Sequence, residues 1–122
     1  MPMVSVIMPV FNAGDGSELE QAIQSILQQT FADFELILCD DASTDDTWEH
    51  LQEWAAMDSR IVLLQNAINQ KAGAARNRCI NQSQGRFIAF MDADDISAPN
   101  RLQTQLEFLK NHPEIAFVGA RG

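Results

Sequence analysis

Apolar runs of strand length alternate along this chain with stretches where apolar positions recur every three or four residues. That alternation is the signature of stacked βα units. Residues 4–8 make the first strand, which Pro9 is expected to stop. Leu19, Ala22, Ile23, Ile26 and Leu27 follow on one face of an amphipathic helix. Residues 34–39 predict a second strand, and Ser43 with Asp46 offers a capping-box start to a helix that turns Trp48, Leu51, Trp54 and Ala55 inward. Residues 61–64 read as a third strand, and Ala72, Ala75, Cys79 and Ile80 mark a helix closed by Gly85. Residues 87–91 form a fourth strand. Pro99 is expected to open the next helix, with Leu102, Leu106 and Leu109 buried and His112-Pro113 at its end. Residues 115–118 begin a fifth strand.

Strands covered by helices on both faces read as continuous apolar runs, as these do. The fold class is therefore α/β, an open, mainly parallel sheet with helices on both faces. A chain of 122 residues is one domain, spanning 1–122, with no internal repeat or linker. Because the sequence stops just past a strand, a fragment of a longer protein is expected.

Net charge is −9, which argues against nucleic acid as a partner, since phosphate-backbone binding runs on Lys and Arg. Seven of the 17 acids fall in two short stretches: Asp40, Asp41, Asp45 and Asp46, then Asp92, Asp94 and Asp95. Cys39 and Cys79 lack the short spacing of a zinc or redox pair and read as reduced buried thiols. No leader-like pattern opens the chain, and no apolar stretch approaches the roughly 20 residues of a membrane helix. A soluble cytoplasmic protein is expected, peripheral to the inner face of a membrane only through regions beyond it.

Each acidic stretch follows a strand, and open α/β sheets bind ligands beyond the carboxyl ends of their strands. Crowded carboxylates repel one another unless a cation neutralises them. Hard oxygen donors suit Mg²⁺ or Mn²⁺, ions usually shared with substrate phosphates. Both stretches should lie on one edge and cage a single divalent ion. Alternatively, the ligand presents donors of its own to the carboxylates, such as a ribose hydroxyl or a base N–H. Asp45 and Asp46 are also natural helix-start residues, whereas Asp92 and Asp94 precede Pro99 by several positions. An EF-hand would need Gly and Glu where this chain has Ser97 and Gln103. Pro9-Val10-Phe11-Asn12 leads into Ala13-Gly14-Asp15-Gly16, a flexible link able to hold a nucleobase edge. Lys71 and Arg76 bracket the start of the third helix, where cations suit a base or a phosphate.

Taken in order, these pieces resemble the family 2 inverting glycosyltransferases. The opening residues 4–12 look like that family's first strand and loop. Residues 25–31 and 33–37 resemble its first helix and second strand. Asp40-Asp41-Ala42-Ser43-Thr44-Asp45, Ala75-Arg76-Asn77, Gly85 and Asp92-Ala93-Asp94-Asp95 complete the series. The resemblance implies the Rossmann-like nucleotide-binding half of a glycosyltransferase A-type fold, working in cell-envelope polysaccharide synthesis. It implies a UDP-sugar or other nucleoside-diphosphate sugar as donor, with a saccharide or lipid-linked acceptor. Pro9, Phe11 and Asn12 would lie against the base, Asp41 would accept its N–H, and Asp92 would meet the ribose. Asp94, with Asp92, would bind Mn²⁺ or Mg²⁺, while Lys71 and Arg76 would contact or position the nucleotide. The general base would lie beyond Gly122. Lys71 stands where many relatives carry Gly, and Phe11 where Tyr is usual. A non-catalytic nucleotide- or metal-binding module is the alternative. A phosphoacceptor receiver domain fits poorly, because it needs acids after the first strand and a lysine after the fifth, where this chain has Pro9 and Gly119-Ala120-Arg121.

Overall fold

The first strand outruns the proline expected to end it. The computed structural model of the chain describes residues 2–111, the side chain of Ala72 aside, and the backbone of 117–118. In chain order the elements are β1 (Val4–Val10), α1 (Ser17–Leu27), β2 (Phe34–Asp40), α2 (Thr47–Met57), β3 (Ile61–Gln65), α3 (Lys71–Gln82), β4 (Phe87–Phe90), α4 (Arg101–Asn111) and β5 (Phe117–Val118). The strands pair parallel in the order β3-β2-β1-β4-β5, with the chain reversing its direction of travel between β1 and β4. Receiver domains follow a different order, 2-1-3-4-5, so topology also argues against that reading. Of the fifth strand, 115–116 lie outside the described residues, as do His112-Pro113 and Gly119-Ala120-Arg121.

Every residue of β2 is buried, as a strand covered on both faces requires. On one face, Val6, Met8, Leu36 and Leu38 pack against Ile23 and Ile26 of α1, Leu51 of α2 and Leu102 of α4. On the other, Ile7, Ile37 and Cys39 meet Ala75 and Cys79 of α3. Fully burying one such aliphatic side chain contributes about 1.5–3 kcal/mol. Both thiols are free and buried. The hydrogen bond shared with Cys39, together with burial, pushes the Cys79 thiol above its ordinary range.

Three sequence expectations are corrected at element ends. Pro9 is tolerated inside β1 because β1 pairs with β4 only as far as Ile7↔Phe90. The Val10 carbonyl accepts from Asp41 N–H on the β2 side, so residue 9 faces the β4 side, beyond the end of that strand. A missing N–H there breaks no ladder bond. No capping box forms at α2: Asp46 occupies the cap position with no side-chain bond, and Ser43 is engaged elsewhere. Helix α4 starts at Arg101 rather than at Pro99, whose carbonyl accepts from Thr30 N–H.

Gly85 does not close α3, which ends at Gln82 with an extended Ser83. Its reason lies in β1. The Gly85 N–H donates to Ser5 Oγ at 2.7 Å, and the Ser5 hydroxyl and Gln84 N–H both donate to the buried Glu35 carboxylate. A Cβ at position 85 would sit 2.5 Å from Ser5 N and 2.7 Å from the Val4 carbonyl carbon. These are backbone atoms of a central strand, so they cannot swing aside. Gly85→Ala is therefore expected to lower stability by about 1–3 kcal/mol, read as a fall in the midpoint of thermal or urea unfolding. An unchanged midpoint would show that the approach relaxes freely.

Candidate functional site

The carboxyl ends of β1, β2 and β4 form one rim, and the loops that leave them build the site. Met91 N–H still bonds to the Ile7 carbonyl at 2.9 Å, after which the chain turns away from β1. The gap between β1 and β4 is the topological switch point, where open α/β sheets hold their ligands.

The loop after β1 is strapped to the loop after β2. Asn12 N–H donates to Ser43 Oγ at 2.9 Å, Ala13 N–H to Thr47 Oγ1 at 2.8 Å, and Gly14 N–H to an Asp45 oxygen at 3.1 Å. In return Asn12 Oδ1 accepts from Thr44 N–H at 2.8 Å. Asp45 also accepts from the N–H and hydroxyl of Thr47. These bonds, that of the Thr47 hydroxyl foremost, hold the Asp45 carboxyl below its usual range. The Asn12 side-chain oxygen is thus engaged in the strap. Ser43, Thr44 and Asp45 act chiefly as its anchors, so the helix-start role expected of Asp45 is only part of its work.

Asp41 is 3% exposed. Its Oδ1 accepts from Asn66 Nδ2 and from Gln70 N–H, each at 2.9 Å, and Asn69 Nδ2 donates to its carbonyl. Among the described residues no hydrogen bond falls on Oδ2. Pro9, Val10, Phe11, Asp41, Asn69 and Lys71 line an open pocket of about 300 Å³. Phe11, 49% exposed, also borders a second pocket of about 390 Å³, with Asn12, Ala13, Gly14, Glu18, Ala93 and Asp94.

Beyond β4, Asp92, Asp94 and Asp95 each bring a carboxylate oxygen within 4.8 Å of the others. Asp95 and Asp92 close a turn on each other, N–H to carbonyl at 3.1 Å. Arg76 reaches across from α3 to Asp92 at 3.2 Å, while its Nε is buried without a partner. Three hard oxygen donors this close fit Mg²⁺ or Mn²⁺. The expectation that both acidic stretches cage one ion is corrected: among the described residues only this trio clusters. Asp40 is fully buried, with Oδ1 on Ser43 N–H, and Asp41 is bound to the loop after β3. The strand end that Asp40 and Asp41 occupy buries each in backbone contacts.

Pro9, Phe11, Asp41 and Lys71 therefore share one pocket, Phe11, Asn12 and Asp94 share the next, and Arg76 and Asp92 pair beside them. Sequence reasoning missed Asn66 and Asn69. The signal was present, since both are polar residues directly after β3, on the rim where β2 ends. Among the described residues three non-glycine positions have left-handed backbone, and all stand on this rim: Asn12 at φ 47°, Ala42 at 63° and Lys71 at 71°.

Comparison with known proteins now bears on these features. The family model described as Glycosyl transferase family 2 matches residues 5–122. The chain is 44% identical over 111 residues to the Escherichia coli UDP-Glc:alpha-D-GlcNAc-diphosphoundecaprenol beta-1,3-glucosyltransferase WfgD, covering 90% of this chain and 42% of that protein. Among solved structures, S. aureus TarS 1–349 in complex with UDP aligns with TM-score 0.81 at 27% identity, covering 90% of this chain and 32% of the other. The mannosyltransferase PcManGT of Pyrobaculum calidifontis, in complex with GDP-Man and Mn²⁺, aligns with TM-score 0.80 at 25% identity over 88% of this chain and 32% of that one. The chain spans about two-fifths of the length of the curated relatives it matches, 42% in each of three. The sheet and its helices are those of glycosyltransferase A-type folds.

Two outcomes follow from the geometry. Removing the Cβ at a left-handed position relieves about 1–2 kcal/mol, and a new glycine's freedom in the unfolded chain takes back about 0.4–1 kcal/mol. Lys71→Gly should thus raise stability by up to about 1.5 kcal/mol in urea unfolding; a loss would mean that the conformation is unstrained. Asp45 has a lowered folded-state pKa, so its contribution is present above the ordinary carboxylate value and is lost as pH falls below about 4. The Asn12, Ala13 and Gly14 amides should lose protection relative to their intrinsic exchange rates there, and Asp45→Asn should reproduce this at pH 7. Equal protection in both proteins at neutral pH would contradict the strap.

Proposed function

The chain belongs to glycosyl transferase family 2, and on that premise we propose that it is the donor-binding part of an inverting glycosyltransferase. The donor is a nucleoside-diphosphate sugar, with UDP the first choice, the acceptor group is a hydroxyl, and the metal is Mn²⁺ or Mg²⁺. One observation carries the reading: a pocket lined by Pro9, Phe11, Asp41 and Lys71 shares Phe11 with a second pocket that reaches Asp94 of the carboxylate trio. Base and diphosphate can then occupy adjoining spaces along a single rim.

Each residue has a task in this reading. The exposed ring of Phe11 stacks on the base, with Pro9 as a rigid wall. Asp41, fixed through Oδ1, has Oδ2 left to accept a base N–H, which is how a carboxylate helps beside an anionic ligand. Asn12 acts through its backbone carbonyl, since its N–H and side-chain oxygen belong to the strap. Lys71 supplies a cation at the pocket edge. Asp92 and Asp94, joined by Asp95, hold the divalent ion, and Arg76 keeps Asp92 in place until the ribose arrives. The bound ion supplies positive charge for the diphosphate leaving group.

No general base is assigned here, because Asp92, Asp94 and Asp95 share the metal loop and Asp41 is held in the base pocket. The base and the acceptor site are assigned to sequence beyond residue 122. A lipid-linked saccharide acceptor in cell-envelope synthesis is supported by the activity named for WfgD. No helix among the described residues is long and apolar enough to cross a membrane.

UDP should bind this chain measurably with Mn²⁺ present and at least tenfold more weakly in excess chelator, by calorimetric titration. Equal affinity in both conditions would remove the metal from the reading. Asp94→Ala should abolish the metal dependence while leaving the melting temperature nearly unchanged, because an exposed loop carboxylate contributes little to the core. Base stacking on an aromatic ring is worth about 1–3 kcal/mol, so Phe11→Ala should weaken UDP binding roughly five- to 150-fold. A variant binding as tightly as the parent would move the base elsewhere.

A further inference from the structure

Arg101 opens α4 and lies outside both pockets, yet its guanidinium is directed at the loop that carries the acids. Nη2 donates to the carbonyl of Phe90, the last residue of β4, at 2.8 Å. Nη1 donates to Ser97 Oγ at 2.9 Å. The two acceptors stand immediately before and after residues 91–96, so one planar group holds both ends of the acidic loop. The far end is anchored further, since Ser97 N–H donates to Ser25 Oγ of α1 at 3.0 Å and Leu102 N–H to Gln29 Oε1 at 2.9 Å.

Nothing local favours an arginine here. The first turn of a helix disfavours a cation, and burial pulls this guanidinium down to about 10 against the opposing field of Asp95. The residue is therefore placed at some expense, and what it gains is a fixed span across the loop. A lysine ammonium could satisfy one of these acceptors as a point charge, whereas the rigid fork of an arginine is suited to reaching two.

We propose that Arg101 is the positioning residue of the metal loop. By clamping Phe90 and Ser97 it sets the spread of the Asp92, Asp94 and Asp95 carboxylates and so their affinity for a divalent cation. This inference rests on the metal reading proposed above. Its charge works against its geometry, because a nearby cation alone would repel the metal. The two contributions therefore predict opposite signs.

The test uses Mn²⁺ alone, with free ion counted by electron paramagnetic resonance, and circular dichroism to confirm folding. Groups that orient metal ligands are worth about 10- to 100-fold in affinity. Arg101→Lys, which keeps the charge and loses the fork, should raise the Mn²⁺ dissociation constant about tenfold, and Arg101→Gln should do the same. A lysine variant that binds like the parent, or a glutamine variant that binds more tightly, overturns the proposal. If both variants unfold, Ser97→Ala carries the test. It should weaken Mn²⁺ binding about threefold, and unchanged affinity would count against the clamp. If the parent and Asp94→Ala bind Mn²⁺ alike, the metal reading itself fails and takes this inference with it.

Discussion

A mismatch in strand length governs this rim. β1 stays paired with β2 up to Val10↔Asp40 but with β4 only up to Ile7↔Phe90. Past that point one side of β1 is open, and any backbone N–H there would need water or a ligand. Proline at position 9 removes the donor and fixes φ, so the exposed shelf carries no unsatisfied N–H. The β4 chain leaves after a last bond from Met91 to Ile7. The shelf on one side and the departing loop on the other make the crevice, which Phe11 and Asp94 both border.

Most carboxylates of the rim are tied to particular donors. Asp45 is bonded to Gly14 and Thr47, Asp41 to Asn66 and Gln70, and Asp92 to Arg76. Asp40 is buried beneath them with one oxygen on Ser43 N–H. Four carboxylates are thus committed to holding loops, and Asp94 is left exposed at the pocket edge. Bonds to neutral donors leave these carboxylates ionised, so an anionic ligand at this rim would need a cation, or donors of its own, beside them.

The fold was largely legible in the sequence, because period and burial agree when a strand is covered on both faces. Residues 34–39 are apolar apart from Glu35, and β2 is buried throughout. The helix stripes Leu19, Ala22, Ile23, Ile26 and Leu102, Leu106, Leu109 are buried as their spacing requires. What failed was punctuation. Pro9, Ser43, Gly85 and Pro99 each carry a local signal for an end or a cap, and each answers instead to a distant partner: β4, Asn12, Ser5 or Thr30. Tertiary contacts of that kind leave no periodic trace. For the same reason the carboxylate trio was visible as a motif, while Asn66, Asn69 and Arg101, which act through three-dimensional neighbours, were not.

The left-handed residues raise the last point. Asn12 tolerates such a conformation, but Ala42 and Lys71 lose stability by it, roughly 1–2 kcal/mol each. Both stand beside the Asp41 carboxylate, one following it directly and the other lining its pocket. The bonds from Asn69 Nδ2 and Gln70 N–H to Asp41 over-determine this corner, so the backbone has nowhere to relax. Glycine would satisfy the turn at position 71 with less strain. Retaining a long cationic side chain under strain makes physical sense only if the ammonium contributes in the bound state. In the donor reading that contribution is to an anionic ligand at the mouth of the base pocket, where Lys71 is exposed and already in place.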